Sequence, residues 1–524
     1  MEVNLYRIVS VEQMRALEKE ADSEGLSYAA MMQNAGRGAG SQIDRKFGCL
    51  NRKTILGLVG AGNNGGDALV ALTYLQEHDW ETHAYLIADR DESDALLTEY
   101  LASGGILATF AQDGKFLQLE ELIRASHFLL DGVLGTGIHL PLKGTAQIVL
   151  RHVKEIEQLP YTIALDCPSG VDCDSGEVDE AAIKANWTIS MAAVKQGLLR
   201  FPAFEYMGDL SVVDIALPPD LKAWNDSNEF CMEESAVLER IPQRPMQAHK
   251  GTFGTALIFA GSQAFPGAAY LAGKAAYRVG AGLVTLAAIP SVQQAIAGVL
   301  PEATWSLLRT EGNGFTWDDA NSLHDVLWKA SSILIGPGWG TDLATAEFLK
   351  RLFLETKGIS QQKPTRVVFD ADGLNLLSKN PALLEDFPVG TVLTPHPGEM
   401  ARITGLSIEE IQKDRNEIAR EYAKRWNVIV VLKGALTIIA DPSGKLVINP
   451  TATPALARAG SGDVLAGMLV GLMAQGVAAF DAACMAAWMH GEAGKQAEHS
   501  IGHAACVLAG DILDTIPQVF RKLN

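Results

Sequence analysis

Cysteine is scarce in this chain, with six residues in 524, at positions 49, 167, 173, 231, 484 and 506. Only Cys167 and Cys173 lie close together in the sequence, and no second pair completes the spacing of a zinc site. A disulfide framework is therefore not expected. Scarce and scattered cysteines predict reduced thiols and a cytoplasmic protein.

Positive charge is also in short supply. Lys and Arg number 43 against 62 Asp and Glu, so the formal net charge is −19, and no run of basic residues offsets it. This balance argues against nucleic acid as a partner.

Long hydrophobic runs are missing as well. The most apolar segment, Val464–Phe480, is interrupted by three glycines and Gln475 and falls just short of a membrane-spanning length. The first eighteen residues carry several charges and lack an apolar core, so a signal peptide is not expected. The sequence predicts no membrane partner, and Val464–Phe480 is interpreted as a buried helix that begins near Asp463.

Glycine, in contrast, is abundant, with 50 residues, and it clusters where short β-like runs end. In the N-terminal half, the runs Thr54–Val59, Phe128–Leu130 and Thr162–Leu165 each lead into glycines beside a carboxylate or an amide. Helices are predicted before them, over Ser10–Ala21 and Tyr28–Gly40. The fold class predicted for this half is α/β, Rossmann-like and doubly wound, with its ligand site at the carboxyl ends of the strands.

The three loops after these strands read GAGNNGGD (60–67), DGVLGTG (131–137) and DCPSGVD (166–172). The first loop lacks the Gly-Lys-Ser/Thr of a Walker loop and does not fit the dinucleotide fingerprint. Asn63, Asp131 and Ser169 carry oxygen ligands of the kind that hard cations choose. A ligand or cation site is predicted here, and plain structural turns are the alternative.

A proline-rich, acidic stretch beginning at Leu217 predicts a domain boundary. The expected division is a first domain over 1–220, a linker over 221–240 and a second domain over 241–524. In the second domain, β-like runs again end in glycine-rich or charged loops, at 261–267, 336–340, 370–373, 394–399 and 433–437. This pattern predicts a second cleft on a mostly parallel sheet, although the two halves share no alignable repeat.

The stretch 457–463, ARAGSGD, stands directly before the apolar segment. A glycine turn at a helix N-terminus presents unpaired N–H groups and the positive end of the helix dipole, and together they bind anions. Asp463 places a carboxylate beside that site, where a base could take a hydroxyl proton as a phosphoryl group arrives. A helix-capping Asp is the alternative.

In this order and number, the motifs resemble the bifunctional NAD(P)H-hydrate repair enzymes over nearly all of residues 10–515. The N-terminal half resembles the hydrate epimerase through GNNGGD (62–67), DGVLGTG (131–137) and DCPSGVDCDSG (166–176). The C-terminal half resembles the ribokinase-like hydrate dehydratase through GSQAFPGAA (261–269), GPGWG (336–340), DADGLN (370–375), LTPHPGEM (393–400), LKG (432–434) and AGSGDVLAG (459–467).

The resemblance implies the repair of nicotinamide cofactors that have taken up water across the 5,6 double bond. The N-terminal domain would interconvert the R and S hydrates, NADHX and NADPHX. The C-terminal domain would phosphorylate the S hydrate with ADP or ATP and Mg²⁺, and loss of phosphate would restore NAD(P)H. Phosphate is a far better leaving group than hydroxide.

For the epimerase site, the resemblance implies Asp166 as the acid/base group, with a capping Asp at a strand-end turn as the alternative. It implies K⁺ held by Asn63, Asp131 and Ser169. The hydrate is expected to contact Asp166 and two loops, formed by Gly62, Asn63, Asn64, Gly65, Gly66 and Asp67 and by Gly135, Thr136, Gly137, Ile138, His139, Leu140 and Pro141.

For the dehydratase site, the resemblance implies Asp463 as the base. Ala268, Gly338, His396 and Asp463 are expected to contact the hydrate. The nucleotide is expected to contact Lys433, Gly434, Ala435, Leu436, Thr437, Gly460, Ser461 and Gly462. Whether Asp370, Asp372 and Glu399 organise Mg²⁺ or only form turns stays open.

Two alternatives compete with this interpretation. One is a ribokinase-type kinase for a small alcohol, fused to a regulatory domain. The other makes the N-terminal half a non-catalytic binding module. Gly/Ala-rich apolar surface is also expected to support a homo-oligomer.

Overall fold

The computed structural model describes residues 5–91, 93–311, 314–316, 320–363 and 366–523. The chain divides into two compact units, one over Tyr6–Glu229 and one from Phe230 onward. Within the described residues, no helix combines the length and the hydropathy needed to cross a membrane.

The N-terminal unit alternates strands and helices. Its strands are β1 (Tyr6–Val9), β2 (Thr54–Val59), β3 (Glu81–Leu86), β4 (Ile106–Thr109), β5 (Phe128–Gly132), β6 (Tyr161–Leu165), β7 (Trp187–Met191), β8 (Val194–Lys195) and β9 (Asp209–Val213). Its helices are α1 (Val11–Ser23), α2 (Tyr28–Phe47), α3 (Asn63–Glu77), α4 (Ala95–Ala102), α5 (Leu117–Ala125), α6 (Gly144–Lys154) and α7 (Phe204–Met207).

The main sheet of this unit has the order β4-β3-β2-β5-β6-β7-β9, and every neighbouring pair is parallel. Buried apolar side chains pack on both of its faces. The order reverses between β2 and β5, which is the position where doubly wound sheets open a crevice for ligands. The predicted N-terminal fold is confirmed, and the loops after β2, β5 and β6 lie side by side at one edge.

The first two helices follow the sequence pattern with one difference. Ser10 and Gln13 form the predicted capping box of α1. Helix α2 continues seven residues past the predicted end at Gly40. A Cβ on Gly36 would overlap Val70 of α3, so the glycines of α2 permit close packing between helices and do not terminate the helix.

The C-terminal unit contains a second α/β array. Its strands, with β10 at the division between the units, are β10 (Glu229–Cys231), β11 (Thr255–Phe259), β12 (Leu283–Ala288), β13 (Thr304–Leu307), β14 (Arg309–Glu311), β15 (Gly314–Thr316), β16 (Ser332–Ile335), β17 (Arg366–Phe369), β18 (Val392–Leu393), β19 (Ile429–Leu432), β20 (Ile438–Ala440) and β21 (Leu446–Ile448). Its helices are α8 (Glu234–Leu238), α9 (Pro266–Arg278), α10 (Pro290–Ile296), α11 (Ala320–Lys329), α12 (Leu343–Ser360), α13 (Asp372–Ser378), α14 (Pro397–Thr404), α15 (Ile408–Lys413), α16 (Arg415–Trp426), α17 (Ser461–Ala474), α18 (Ala479–Ile501) and α19 (Ala509–Lys522).

Strands β13-β12-β11-β16-β17-β18-β19 form a parallel sheet, and β20 and β21 extend it antiparallel. The predicted mostly parallel sheet is confirmed. Helices α9 and α17 pack against each other so closely that a Cβ on Gly467 would overlap Ala272, and one on Gly471 would overlap Ala276. The two members of each pair are 195 positions apart in the chain, so the two helices run parallel and in step, with the same offset at successive turns.

Two sequence predictions need correction in this unit. The single helix predicted over Val464–Phe480 is wrong, because α17 ends at Ala474 and α18 begins at Ala479. Gly476 adopts a φ of +93° between them, a conformation that glycine reaches easily and that ends a helix. The predicted linker over 221–240 contains β10 and α8 and buries Cys231 and Val237, so it is packed structure.

Candidate active sites

A cavity of about 1160 Å³ lies at the carboxyl ends of the strands in the N-terminal unit. Its wall includes nine of the predicted site residues: Gly62, Asn63, Asn64, Asp67, Gly135, Thr136, Gly137, Ile138 and Asp166. Gly65 and Gly66 lie behind the wall, where a Cβ would overlap the Gly60 carbonyl or Met32. His139, Leu140 and Pro141 are absent from the lining, so the second predicted loop contributes only its first half.

Asp131 and Ser169 form a buried polar pair beneath this cavity. The Ser169 hydroxyl donates to Asp131 Oδ1 over 2.6 Å, and the Ser169 amide donates to Oδ2 over 2.8 Å. Burial raises the pKa of Asp131, and the hydrogen bonds from Ser169 oppose that rise. The amide of Leu134 donates to Ser169 Oγ over 2.9 Å, which ties the pair to the loop after β5.

The third predicted cation ligand, Asn63, lies on the cavity wall and has no hydrogen bond to Asp131 or Ser169 among the described residues. Its side chain is exposed, whereas its neighbour Asn64 is 6% exposed and turns inward. Asn64 Nδ2 donates to the carbonyls of Leu134, over 2.9 Å, and Leu165, over 3.2 Å. Asn64 Oδ1 is buried and accepts no hydrogen bond from any described residue. Of the two adjacent asparagines, Asn64 is the buried one. Its side chain and the Ser169 hydroxyl both form hydrogen bonds with the backbone of Leu134.

Asp166 follows β6 in a left-handed backbone conformation, with φ of +62°. Its Oδ1 accepts hydrogen bonds from the Met191 amide, over 3.1 Å, and from Lys195 Nζ in a short ion pair. Lys195 is 1% exposed, and its ammonium also donates to the Met191 carbonyl over 2.8 Å. A buried lysine whose ammonium donates to a carboxylate and a carbonyl is held in one position.

Sequence reasoning gave Lys195 no role in the site. The residue lies in the two-residue strand β8, far along the chain from the three glycine loops. The one available signal was a single lysine directly after the apolar Ala193 and Val194. Lysine is almost never fully buried unless it is paired, so this position suggested a partner without identifying it.

The C-terminal unit contains a cavity of about 440 Å³, lined by Ala264, Phe265, Pro266, Gly267, Ala268, Leu271, Gly338, Asp372 and Asp463. Ala268, Gly338 and Asp463, which the sequence assigned to one pocket, are brought together. A Cβ on Gly338 would contact Ala268 at 2.8 Å, so the cavity depends on small residues at this point. His396 is not part of this lining; its Nδ1 caps α14 by accepting from the Gly398 amide over 3.0 Å.

Asp463 lies in the first turn of α17, whose N-cap is Gly460 with no capping side chain. Ser461 and Gly462 belong to the helix itself, so the predicted glycine turn is shorter than expected. Burial, and next the negative charge of Asp370, raise the pKa of Asp463 to about 7, against the opposing charge of Lys433. A carboxyl with this pKa is suited to proton transfer near neutral pH.

Lys433 links the acidic residues around Asp463. Its Nζ lies 2.7 Å from Asp370 Oδ1 and 3.6 Å from Glu399 Oε2, and both carboxylates are buried. Asp372 accepts a hydrogen bond from the Gly340 amide through Oδ2, over 2.7 Å. Among the described residues, no group of three or more His, Cys, Asp or Glu side chains has the arrangement of a metal site.

One further cation, from the start of α16, lies against the nucleotide loop predicted after β19. Arg415 lies against Gly434, where any side chain would displace its guanidinium. Arg415 Nη2 donates to the carbonyls of Leu432, over 3.1 Å, and Lys433, over 3.3 Å. The loop Lys433-Gly-Ala-Leu-Thr437 is thus supported from behind by a half-buried arginine that sequence reasoning did not single out.

Two family models match the chain. Residues 28–197 match the family described as YjeF-related protein N-terminus, and residues 256–518 match NAD(P)H-hydrate dehydratase. The second range contains every residue that lines the smaller cavity, whereas the first range leaves out Met14, Arg15, Glu18, Lys19 and Ile215 of the larger cavity.

Relatives also match this chain over nearly its whole length. The bifunctional NAD(P)H-hydrate repair enzyme of Moorella thermoacetica is 36% identical over 99% of this chain and 97% of its own length. That of Salinibacter ruber is 35% identical over 98% of this chain and 96% of its own. The crystal structure of the ADP/ATP-dependent NAD(P)H-hydrate dehydratase from Bacillus subtilis, co-crystallised with ATP/Mg²⁺, is 31% identical and covers 56% of this chain and 98% of its own, with a TM-score of 0.46. The chain belongs to the family of bifunctional NAD(P)H-hydrate repair enzymes.

Proposed function

We propose that the N-terminal unit interconverts the R and S hydrates of NADH and NADPH, and that the C-terminal unit dehydrates the S hydrate at the expense of ADP or ATP. The observation that carries this proposal is Asp463, whose pKa is about 7, at the uncapped N-terminus of α17 on the wall of a small-residue cavity. The ion-paired Asp166 in the larger cavity supports the epimerase half.

In the dehydratase reaction, Asp463 removes the proton from the hydrate hydroxyl, and the oxygen attacks the terminal phosphorus of the nucleotide. The N–H groups of Gly460 and Gly462 at the start of α17 stabilise the negative charge on the phosphoryl group in transit, whereas the Ser461 N–H donates to the Arg458 carbonyl over 3.3 Å. The C–O bond of the phosphate ester then breaks, phosphate leaves with the electron pair, and the neighbouring ring carbon gives its proton to solvent. The double bond that water had removed is restored.

Magnesium, when bound with the nucleotide, neutralises phosphate charge. Asp372 lies on the cavity wall with Asp463, whereas Asp370 and Glu399 are held by Lys433. Asp372 is therefore the carboxylate we assign to the metal, directly or through water. Mg²⁺ titrations with Asp372→Asn test this assignment, and an unchanged Mg²⁺ requirement would refute it.

For the epimerase, we assign K⁺ to Asn64, Asp131 and Ser169, replacing Asn63 of the sequence prediction. The buried Asn64 Oδ1, which lacks a donor among the described residues, fits an oxygen ligand for a cation. Asp131 and Ser169 supply the adjacent oxygens on the neighbouring strand ends. The ion would join the loops after β2, β5 and β6 and so hold Asp166 in place.

Asn64→Ala should lower the epimerase rate at least about tenfold and remove its response to K⁺, because the ion loses an oxygen ligand. Epimerisation is measured in potassium and in choline buffers. Asn63→Ala is the matched control and should keep the K⁺ response. A K⁺ response that persists in Asn64→Ala and disappears in Asn63→Ala would reverse the assignment.

The function itself is tested by absorbance at 340 nm. Mixed R and S NADHX, incubated with the protein, Mg²⁺ and either ADP or ATP, should return fully to NADH in a fast phase from S and a slower phase from R. No recovery with either nucleotide would overturn the repair function and favour the small-alcohol kinase.

We further propose a cytoplasmic homo-oligomer that acts on small molecules and not on nucleic acid. The free state of all six cysteines supports a reducing compartment. Exposed apolar side chains such as Leu343 and Val389 support self-association. Cell fractionation and light scattering test these points, and a monomer at micromolar concentration would refute the second.

A further inference from the structure

Asp166 is not the only carboxyl group in the N-terminal cavity. Asp67 from α3 and Glu18 from α1 line the same cavity. Asp166 is paired with Lys195, whereas no described residue donates a hydrogen bond to the Asp67 carboxyl. The cavity therefore contains two carboxyl groups from different elements in opposite surroundings, one beside a cation and one without a partner.

The charges around Asp67 favour its protonated form. Burial raises the pKa of Asp67 well above its usual range, the charges of Asp166 and Glu18 raise it further, and Lys195 opposes them. Burial also raises the pKa of Glu18, against Lys195. The other charged side chains on the cavity wall are Arg15, Lys19 and Lys143. A carboxyl group whose surroundings favour its protonated form is suited to donate a proton.

Epimerisation of a hydrate needs such a pair. The hydroxyl stands on the carbon next to the ring nitrogen, so the configuration inverts when that C–O bond breaks and forms again on the other face. A proton donated to the hydroxyl lets it leave as neutral water, while the nitrogen lone pair forms a C=N bond. Water then adds to the opposite face, returns the electron pair to nitrogen and gives its extra proton to a base.

We propose that Asp67 is the second catalytic residue of the epimerase, acting on one face of the hydrated ring while Asp166 acts on the other. The proposal rests on the epimerase function given above. In one direction Asp67 protonates the leaving hydroxyl and Asp166 accepts the proton of the incoming water; in the other direction the roles exchange. Glu18 is a positioning residue that helps Asp67 keep its proton.

The buried Asn64 Oδ1, assigned above to K⁺, indicates that a ligand is bound on the side of the cavity where Asp67 lies. Asn64 lies one turn before Asp67 on α3 and lines the same cavity, and its oxygen lacks a donor among the described residues. The K⁺ assigned above to this oxygen would therefore lie in the same cavity as Asp67 and Asp166.

The test uses the full chain and the two phases of NADH recovery from mixed hydrates with ADP. Asp67→Asn should leave the fast phase unchanged and slow the R-dependent phase at least about 100-fold in kcat, because one proton-transfer group is lost. KM for the R hydrate should stay within about twofold. Asp67→Glu should recover at least about a tenth of the wild-type rate. Glu77→Gln, at the far end of α3, is the matched control and should resemble wild type.

Four outcomes separate the explanations. Epimerisation by Asp67→Asn within about threefold of wild type overturns the proposal, as does a change confined to KM. If Asp67→Asn does not fold, Asp67→Glu decides, and a folded but inactive Glu variant overturns it. Absence of the slow phase in wild type would instead refute the epimerase function.

Discussion

Asp463→Asn should abolish the return of NADH from the S hydrate, with a fall in kcat of about a thousandfold or more. The amide keeps the size of the side chain but cannot accept the hydroxyl proton, and loss of a general base costs about 10²–10⁴-fold. The measurement is 340 nm recovery from purified S hydrate with ADP or ATP and Mg²⁺. Conversion of R to S hydrate by the same protein is the control, because that site lies in the other unit.

The pH dependence of wild type provides a second check on Asp463. Since its pKa is about 7 and the base must be ionised, dehydration should rise with pH up to about 7 and then level off. The free energy of unfolding should change in the opposite direction. The folded state holds the Asp463 proton more tightly than the unfolded chain does, so its contribution to stability is lost as the pH rises from about 4 to about 7. A dehydration rate that is constant from pH 5.5 to 8 would contradict the assignment of Asp463 as the base.

Asp166→Asn should leave recovery stalled once the S hydrate is consumed, with epimerisation reduced by about 10³-fold. The substitution removes the proposed acid/base group and also leaves the buried Lys195 without its anion. Breaking a buried pair in this way costs about 3–5 kcal/mol of stability. Thermal unfolding should therefore show a destabilised N-terminal unit beside the kinetic loss.

A double variant separates chemistry from folding. Asp166→Asn with Lys195→Met removes both charges, so stability should return toward wild type while epimerisation stays absent. If the double variant recovers epimerisation, Asp166 serves the fold and not the chemistry. If Asp166→Asn alone epimerises at the wild-type rate, its assignment as an acid/base group is wrong.

The family and both folds could be predicted from sequence because they depend on local patterns. A strand that ends in a glycine loop carries its signal within about ten residues, and parallel pairing then brings several such loops to one edge. Asp131, Ser169 and Asp166 converge in this way in the structure. Ala268, Gly338 and Asp463 converge likewise, although they come from three separate stretches of the chain. Their roles with substrate and metal stay predictions.

The sequence could not predict which way a side chain points, or which residues far apart in the chain form a pair. Asn63 and Asn64 are chemically identical, and only the start of α3 at Asn63 decides which one points inward. Lys195 reaches Asp166 across the end of β7, a contact without a sequence spacing. The apolar run after Asp463 concealed a helix break, because Val477, Ala478 and Phe480 continue the apolar pattern beyond Gly476, although Gly476 and Ala478 are exposed in the structure.

The in-step packing of α9 and α17 has a consequence for how the dehydratase recognises its substrate. Ala268 and Asp463 open onto the same cavity, and one turn further along each helix Ala272 meets Gly467. The wall expected to receive the hydrate and the carboxylate proposed to deprotonate it therefore belong to one preassembled block, whose spacing is set by backbone contact. Induced fit in this unit must come from the strand-end loops. A larger substrate would fit only if the cleft changed on its other side, where the loop after β19 is expected to contact the nucleotide.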